Sequence, residues 1–539
     1  MTVYVRGKKT EDPPSAMIVS EVEVDPAILY RNDGNRRSYV LHLWYLDFDG
    51  DLVGRALSQK KIESFDGEKP IAELQVIPCD YIDRQDEQLS RDDKDYLTTR
   101  NRLVDLGKKW FGLLKGQMVF YNGEFPESPY TDAFSGRVFV DCDSYWAKIS
   151  EDDGDDITSG PSLYHFSDDY QYTKSIVDCT CSACKDKMKE EKRGPFDSYW
   201  AIDPRETKSL ELDESHWNST LGIDEDHRYL ICNHLLGGLV LKNRRWEKLN
   251  VACCSAIAPQ AKAFENLVMN KSRKDLIKSL LYNYSQSNLH NAPKPWKADF
   301  IENKGDECIA EYTGRPLLSL ICGDIGISEQ DVDRNLQKWF TIGEKWGAVV
   351  LVDEADVYLE SRQPGDVQRN GLVSVFLRAV EYYKGILFLT TNRVGQFDDA
   401  FISRIHVVLR YEKLRPNDRR QIWEGFFEKL EKERGNQIRI SKSAKKYVLE
   451  DKEMTGIPWN GREIRNAFQT AVALAQYKFA TSEDTEAGDK AVLDRDHFEE
   501  VCKMTTDFKK YLKKLHTKDE DARAAIARNR YDEDDSEDD

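Results

Sequence analysis

The sequence lacks any long apolar run. Its cleanest ones, Ala348–Val352 and Gly385–Leu389, hold five residues each. A membrane-crossing helix needs ~18–20. No apolar stretch follows the charged start MTVYVRGKKTEDPP, so it does not read as a secretory signal. Cysteine is sparse and odd in number. The 11 thiols are scattered through 539 residues, which fits reduced cysteines better than a disulfide framework. Positive charge is in deficit: 78 basic against 96 acidic side chains leave −18. Duplex nucleic acid and anionic membranes both call for a basic surface, so neither is an expected partner. Internal repeats are missing as well. These absences lead us to expect a soluble intracellular protein, with cytoplasm and nucleus not distinguished.

Length argues for several domains, at ~150 residues each. The pattern changes near residue 250. Before it, runs such as Tyr39–Phe48, Gln117–Tyr121 and Arg137–Val140 alternate or are rich in aromatics, and Gly, Asp and Asn clusters separate them. They read as strands and turns. One helical pattern, Ser90–Leu114, interrupts them. We therefore expect a mainly β, mixed domain over 15–250. Within it, Cys179, Cys181 and Cys184 are spaced like the start of a zinc site, with Cys232 or His234 as a fourth ligand. No second ligand pair accompanies them, so a loop with free thiols is the competing reading.

After residue 250, strands and helices alternate. Residues 259–284 carry apolar side chains at helical spacing. Strands are expected at Pro316–Cys322, Ala348–Val352, Ile386–Thr390 and Ile405–Arg410, with helices at Asp331–Trp346, Val367–Tyr383 and Phe397–Ser403. Continuous apolar strands between helices mean a parallel α/β sheet covered on both faces. We place this core at 255–411. Residues 412–515 read as helices only, and 516–539 as a disordered acidic tail, with seven acids among Asp532–Asp539. The lysines of Lys503–Lys518 read as a solvated helix face.

The chemistry gathers at strand ends. In Val349–Asp356 (VVLVDEAD), four apolar residues carry two adjacent carboxylates to the end of a core strand. Ligands bind outside the carboxyl ends of such strands. Asp353 suits the water shell of Mg²⁺, and Glu354 suits polarising a water. The next strand ends at Asn392, an amide able to position that water. Arg404 follows a short helix in FDDAFISRI, and Arg462 opens a helix in NGREIRNA. Both are placed to meet phosphate charge, Arg404 on a neighbouring subunit.

These elements together resemble an AAA+ ATPase module over about residues 299–475. VVLVDEAD is similar to a Walker B strand, TTN to sensor 1, SRI to the arginine-finger region and NGREIRN to a sensor 2 helix. CGDIG, TTNRVG and NGREIRNA resemble a group of fungal AAA+ proteins with a large N-terminal domain. The resemblance implies a P-loop NTPase-like sheet with a helical lid, ATP and Mg²⁺ as cofactors, a homo-oligomer that is often hexameric, and ATP-driven remodelling of proteins or complexes.

One part of the pattern is missing. No G-x-x-x-x-G-K-[ST] occurs, and the chain runs from Asp299–Gly305 straight to Asp306–Gly314. The strand that should precede that loop is missing too. By the resemblance it lies inside the sheet, between Ile405–Arg410 and Ile386–Thr390. Leaving it out strands two rows of backbone groups, at ~1–3 kcal/mol for each buried bond unmade. We expect that this module does not fold as the family does and that the chain is inactive. The gap is compact and has motif sequence on both sides, so we read it as a missing exon; a splice form and a true loss are the alternatives. A catalytically inactive scaffold or partner-binding subunit is the competing function. The segment Cys322–Glu329 also lacks the aromatic residue of a threading pore loop, and Trp339 and Phe340 read as core.

Overall fold

The computed structural model describes residues 1–7, 14–24, 38–63, 65, 67–92, 97–128, 133–153, 163, 196, 199, 202–257, 271, 274, 275, 278, 313–362, 365–405, 407–409, 413–481 and 490–515. Two compact units divide the chain, Met1–Ala258 and Pro259–Asp539.

The first unit holds two antiparallel five-stranded sheets. One contains β1 (Thr2–Val5), β2 (Ser15–Val24), β3 (Tyr39–Phe48), β4 (Val53–Ile62) and β5 (Val76–Pro78), in the order β4-β3-β2-β1-β5. This sheet starts upstream of residue 15. The other contains β6 (Gln117–Gly123), β7 (Phe134–Val140), β8 (Leu235–Val240), β9 (Arg245–Asn250) and β10 (Cys254–Ser255), in the order β10-β6-β7-β8-β9. A common core joins residues of both sheets, among them Trp44, Leu46, Val138 and Val240, with Trp110 at its centre.

The single helix expected at Ser90–Leu114 is two. They are α1 (Cys79–Asp92) and α2 (Thr99–Leu113). The physical reason is a cap. Thr98 is extended, and its hydroxyl accepts the Asn101 N–H at 3.2 Å, which starts a new helix there. The apolar stripe of α2 buries Leu103, Val104, Trp110 and Phe111. Gly107 lies on the same stripe against a short helix, α4 (His227–Leu230); α3 (Cys142–Asp153) precedes it in the chain. A Cβ on Gly107 would stand 2.0 Å from the Tyr229 carbonyl oxygen. Only glycine allows that approach.

The second unit opens with a parallel sheet, β11 (Leu317–Leu320), β12 (Val349–Val352) and β13 (Ile386–Leu389), ordered β11-β12-β13. After β11 come α5 (Cys322–Ile325) and α6 (Glu329–Trp346). The Ser328 hydroxyl caps α6 by accepting the Asp331 N–H, and Gly347 ends it in the left-handed region at φ 58°. Its buried stripe includes Val332, Leu336, Trp339 and Phe340, so the two aromatics are core. After β12 come α7 (Asp356–Leu359) and α8 (Val367–Tyr382), and α6 packs on α8. All four residues of β13 are buried.

The strand expected at Ile405–Arg410 does not form among the described residues. Residues 405 and 407–409 pair with nothing in the sheet, and Val408 is 65% exposed. By the resemblance, its ladder partner is the strand the sequence lacks. Without that partner β13 is the outermost strand of the described sheet, and an apolar run alone has no row of N–H and C=O groups to join. The helix pattern expected at 259–284 lies outside the described residues apart from Lys271, Lys274, Asp275 and Lys278, which are helical.

Beyond α9 (Asp399–Ile402) comes the C-terminal helical region. It holds α10 (Pro416–Arg434), α11 (Lys442–Glu450), α12 (Lys452–Thr455), α13 (Gly461–Thr481) and α14 (Arg495–Leu515). Trp423, Phe427, Phe468 and Phe498 form its aromatic core. The expectation of helices only is corrected here: β14 (Ile438–Ile440) and β15 (Ala491–Leu493) pair in parallel. Just past β15, Asp494 accepts hydroxyls from Ser441 and Ser443 and the Arg495 N–H. These donors pull its carboxyl down to about 2.

Two expectations follow. Gly107→Ala should destabilise the first unit by ~1–3 kcal/mol in urea unfolding, because the added methyl meets backbone; an unchanged midpoint would contradict the close packing. Asp494 has a folded pKa below that of an unfolded aspartate, ~3.9. Its stabilisation is therefore complete above that value and lost as the pH falls through about 2. Asp494→Ala should cost ~1–2 kcal/mol at pH 7 and flatten this acid limb, read by circular dichroism from pH 7 to 2.

Candidate functional site

Strand register builds the site. Val352 of β12 lies opposite Leu389 of β13, so Asp353 and Thr390 leave the sheet side by side. The Thr390 hydroxyl donates to Asp353 Oδ1 and accepts the Glu354 N–H at 2.8 Å. The backbone doubles the tie: Thr390 N–H donates to the Val352 carbonyl at 3.0 Å, and Ala355 N–H donates to the Thr390 carbonyl at 2.9 Å. One residue on, the Thr391 hydroxyl donates to Asp356 Oδ1 and accepts the Arg393 N–H at 2.9 Å. Two consecutive threonines thus hold the acidic turn.

Glu354 sits at φ 54°, in the left-handed region. An L-residue enters it at ~1–2 kcal/mol, so the surroundings must hold it there. They include the Glu354 N–H bond to Thr390 and a Cys322 Sγ contact to the Glu354 carbonyl at 3.6 Å. Burial pushes the Cys322 thiol up. Tyr358 closes the turn from below: its hydroxyl donates to the Gly326 carbonyl at 2.7 Å, and its ring stacks on Phe376 at 5.0 Å. The result is a half-buried Asp353 next to an exposed Glu354.

Asn392 lies two residues past Thr390 and is exposed. Arg404 is engaged within its own chain. Its Nη2 and Nε lie 3.2 and 3.3 Å from Glu381 Oε2, and its Nη1 donates to the Ala400 carbonyl at 2.9 Å. The segment carrying it is strapped to the acidic turn. Asp398 N–H donates to the Leu359 carbonyl at 2.9 Å and Ser361 N–H to the Gln396 carbonyl at 2.7 Å. Arg362 grips Asp398 with two bonds, 2.7 and 3.1 Å, which hold that carboxyl below its ordinary range.

Arg462 is exposed in the first turn of α13. A capping box sets it there: Glu463 N–H donates to Asn460 Oδ1 at 2.8 Å, and Asn460 N–H donates to Glu463 Oε2 at 2.9 Å. Among the described residues, Arg462 makes no hydrogen bond or ion pair with Asp353, Glu354 or Asn392. The structure therefore brings together Asp353 and Glu354, with Asn392 two residues past their Thr390 partner; Arg404 is held by Glu381 and Ala400, and Arg462 lies exposed on α13.

The zinc candidates Cys179, Cys181 and Cys184 lie outside the described residues. Cys232 is in the core of the first unit, where its Sγ donates to the Arg228 carbonyl at 3.2 Å and burial pushes its thiol up. His234 is buried and held neutral, its pKa pushed down to about 4. Among the described residues, no group of three His, Cys, Asp or Glu suits a metal.

Family models match three stretches. A domain of unknown function (DUF7025) matches residues 1–83, the AAA model (ATPase family associated with various cellular activities) matches 306–413, and the fungal AAA+ ATPase lid domain matches 414–519. The chain carries a fungal-type AAA+ ATPase module. Solved structures similar to the chain include the FIGL-1 AAA domain, at 13% identity and TM-score 0.35, covering 46% of this chain and 85% of that one. The FIGL-1 AAA domain in complex with ADP also matches, at 14% identity and TM-score 0.35, covering 48% of this chain and 87% of that one. No curated protein matches. No helix among the described residues is long and apolar enough to cross a membrane.

For MgATP, the residues present fit one end only. Asp353 gives one oxygen to Thr390, and its other oxygen is the one that would take the water shell of a Mg²⁺ ion. Nothing in the sequence supplies the glycine-rich amides and the lysine for the triphosphate. Sequence reasoning missed Thr390. The signal was there: in a parallel pair, the residue after one strand stands beside the residue after the next.

Thr390→Val keeps the shape and removes the hydroxyl. It leaves the Glu354 N–H and one Asp353 oxygen without their partner, so a loss of ~1–3 kcal/mol is expected in the second unit. Unfolding with an unshifted midpoint would show that the clasp does not hold the turn.

Proposed function

We propose that this AAA+ module is the hydrolytic half of an ATP-driven remodelling machine, and that the chain with this sequence does not bind or hydrolyse ATP. In the complete machine Asp353 would hold Mg²⁺ through water, Glu354 would act as base and Asn392 would orient the water. Arg404 would serve a neighbouring subunit's nucleotide, which implies a ring, and Arg462 would sense phosphate from the lid. The observation that carries this reading is the Thr390 clasp, which fixes Asp353 and Glu354 at one strand end. The missing phosphate loop sets its limit. Without the loop the chain is a partner-binding subunit, and its Arg404, once released from Glu381, remains available to an active neighbour.

Two measurements test this. Titration of the purified chain with a fluorescent ATP analogue and Mg²⁺ should show no binding up to ~1 mM; micromolar affinity would overturn the inactive reading. Sequencing the transcript across the codons for Lys294 to Arg315 should reveal ~20–30 extra codons encoding a strand and G-x-x-x-x-G-K-[ST]. The chain with that insert should bind and hydrolyse MgATP, and Glu354→Gln in it should bind without hydrolysis. An uninterrupted junction at Gly305-Asp306 in the dominant transcript would leave only the scaffold role.

A further inference from the structure

α14 shows an apolar surface that the helical core does not use. Its inward face buries Phe498, Val501 and Cys502. A second apolar stripe, Met504, Phe508 and Tyr511, runs at four- and three-residue spacing, so these side chains share one face. They are 52%, 60% and 59% exposed. Beside the stripe lie Lys503 and Lys510, seven residues apart and exposed. Lys509, by contrast, turns inward: its Nζ is 3.0 Å from Glu463 and 5.7 Å from the Trp459 ring centre. Among the described residues, no ion pair engages Lys503 or Lys510.

We infer that the chain's own acidic segment, Tyr531–Asp539, docks along this face. Charge argues for it. Seven acids follow Tyr531, and Lys503 and Lys510 stand exposed beside the stripe. Chain length argues for it too. Residues 516–531 number 16, which reach ~50 Å when extended at ~3.3 Å each. The 21 residues of α14 cover only ~30 Å. A tether this short presents the acids at a local concentration of ~millimolar order, so a weak contact is enough to be populated. Tyr531 supplies an aromatic ring for the stripe that a purely acidic segment lacks. The tail itself lies outside the described residues, and the docking face is built entirely from described ones.

Zero-length carbodiimide coupling of the full chain tests this, because it joins an amine to a carboxylate only where the two touch. Mass spectrometry should find the acids of 532–539 joined mainly to Lys503 and Lys510. In a mixture of ¹⁴N- and ¹⁵N-labelled protein the links should fall within one chain. They should drop several-fold between ~0.1 M and ~1 M salt, as the screening length shrinks from ~10 to ~3 Å. Phe508→Ser with Tyr511→Ser should reduce them several-fold while leaving the unfolding midpoint in place, since both residues are exposed. Links spread over lysines of the whole chain would overturn the inference. So would links that run between chains, or links that the double variant leaves unchanged.

Discussion

Two parallel strands in fixed register make this module's chemistry available. A one-residue slip between β12 and β13 would turn Thr390 away from Asp353, because side chains alternate across a strand. Both strands are buried on both faces, so the register is carried by the backbone ladder, which at this end closes through the Thr390 N–H on the Val352 carbonyl and the Ala355 N–H on the Thr390 carbonyl. The clasp then follows: the threonine hydroxyl gives its proton to one acid and takes the N–H of the next. A left-handed Glu354 is tolerable only while that bond is made.

The same logic explains what the described sheet does not contain. A parallel strand depends wholly on its neighbour for hydrogen bonds, since no hairpin turn holds it in place. Residues 405 and 407–409 are apolar enough for a strand but join none among the described residues. By the resemblance, their ladder partner is the strand missing before Asp306. The family match to the AAA core likewise begins at residue 306.

Much of the architecture was legible in residue order. β11, β12 and β13 are runs of apolar residues between polar turns, and long amphipathic helices separate them. The acidic pair announced the site because charges at the end of a buried strand are conspicuous. What escaped was short or non-local. β14 and β15 hold three residues each and pair across some fifty positions of sequence, beyond the reach of local pattern. The start of α2 is capped by the Thr98 hydroxyl and by Asp86, whose carboxylate accepts the Thr99 N–H, and the second of these comes from α1. Thr390 stood in plain view beside Asn392, but a threonine gains meaning only from the strand next to it.

The strap between the acidic turn and the arginine segment has a mechanical consequence. Leu359, Ser361 and Arg362 are tied to Asp398, Gln396 and again Asp398 by six bonds. The stretch from Leu359 to Arg362 therefore behaves as a strut, with little slack between its ends. Arg404 rides on the short helix that Asp398 caps. Hydrogen bonds at successive points of the chain thus join the end of the acidic segment to the helix that carries Arg404.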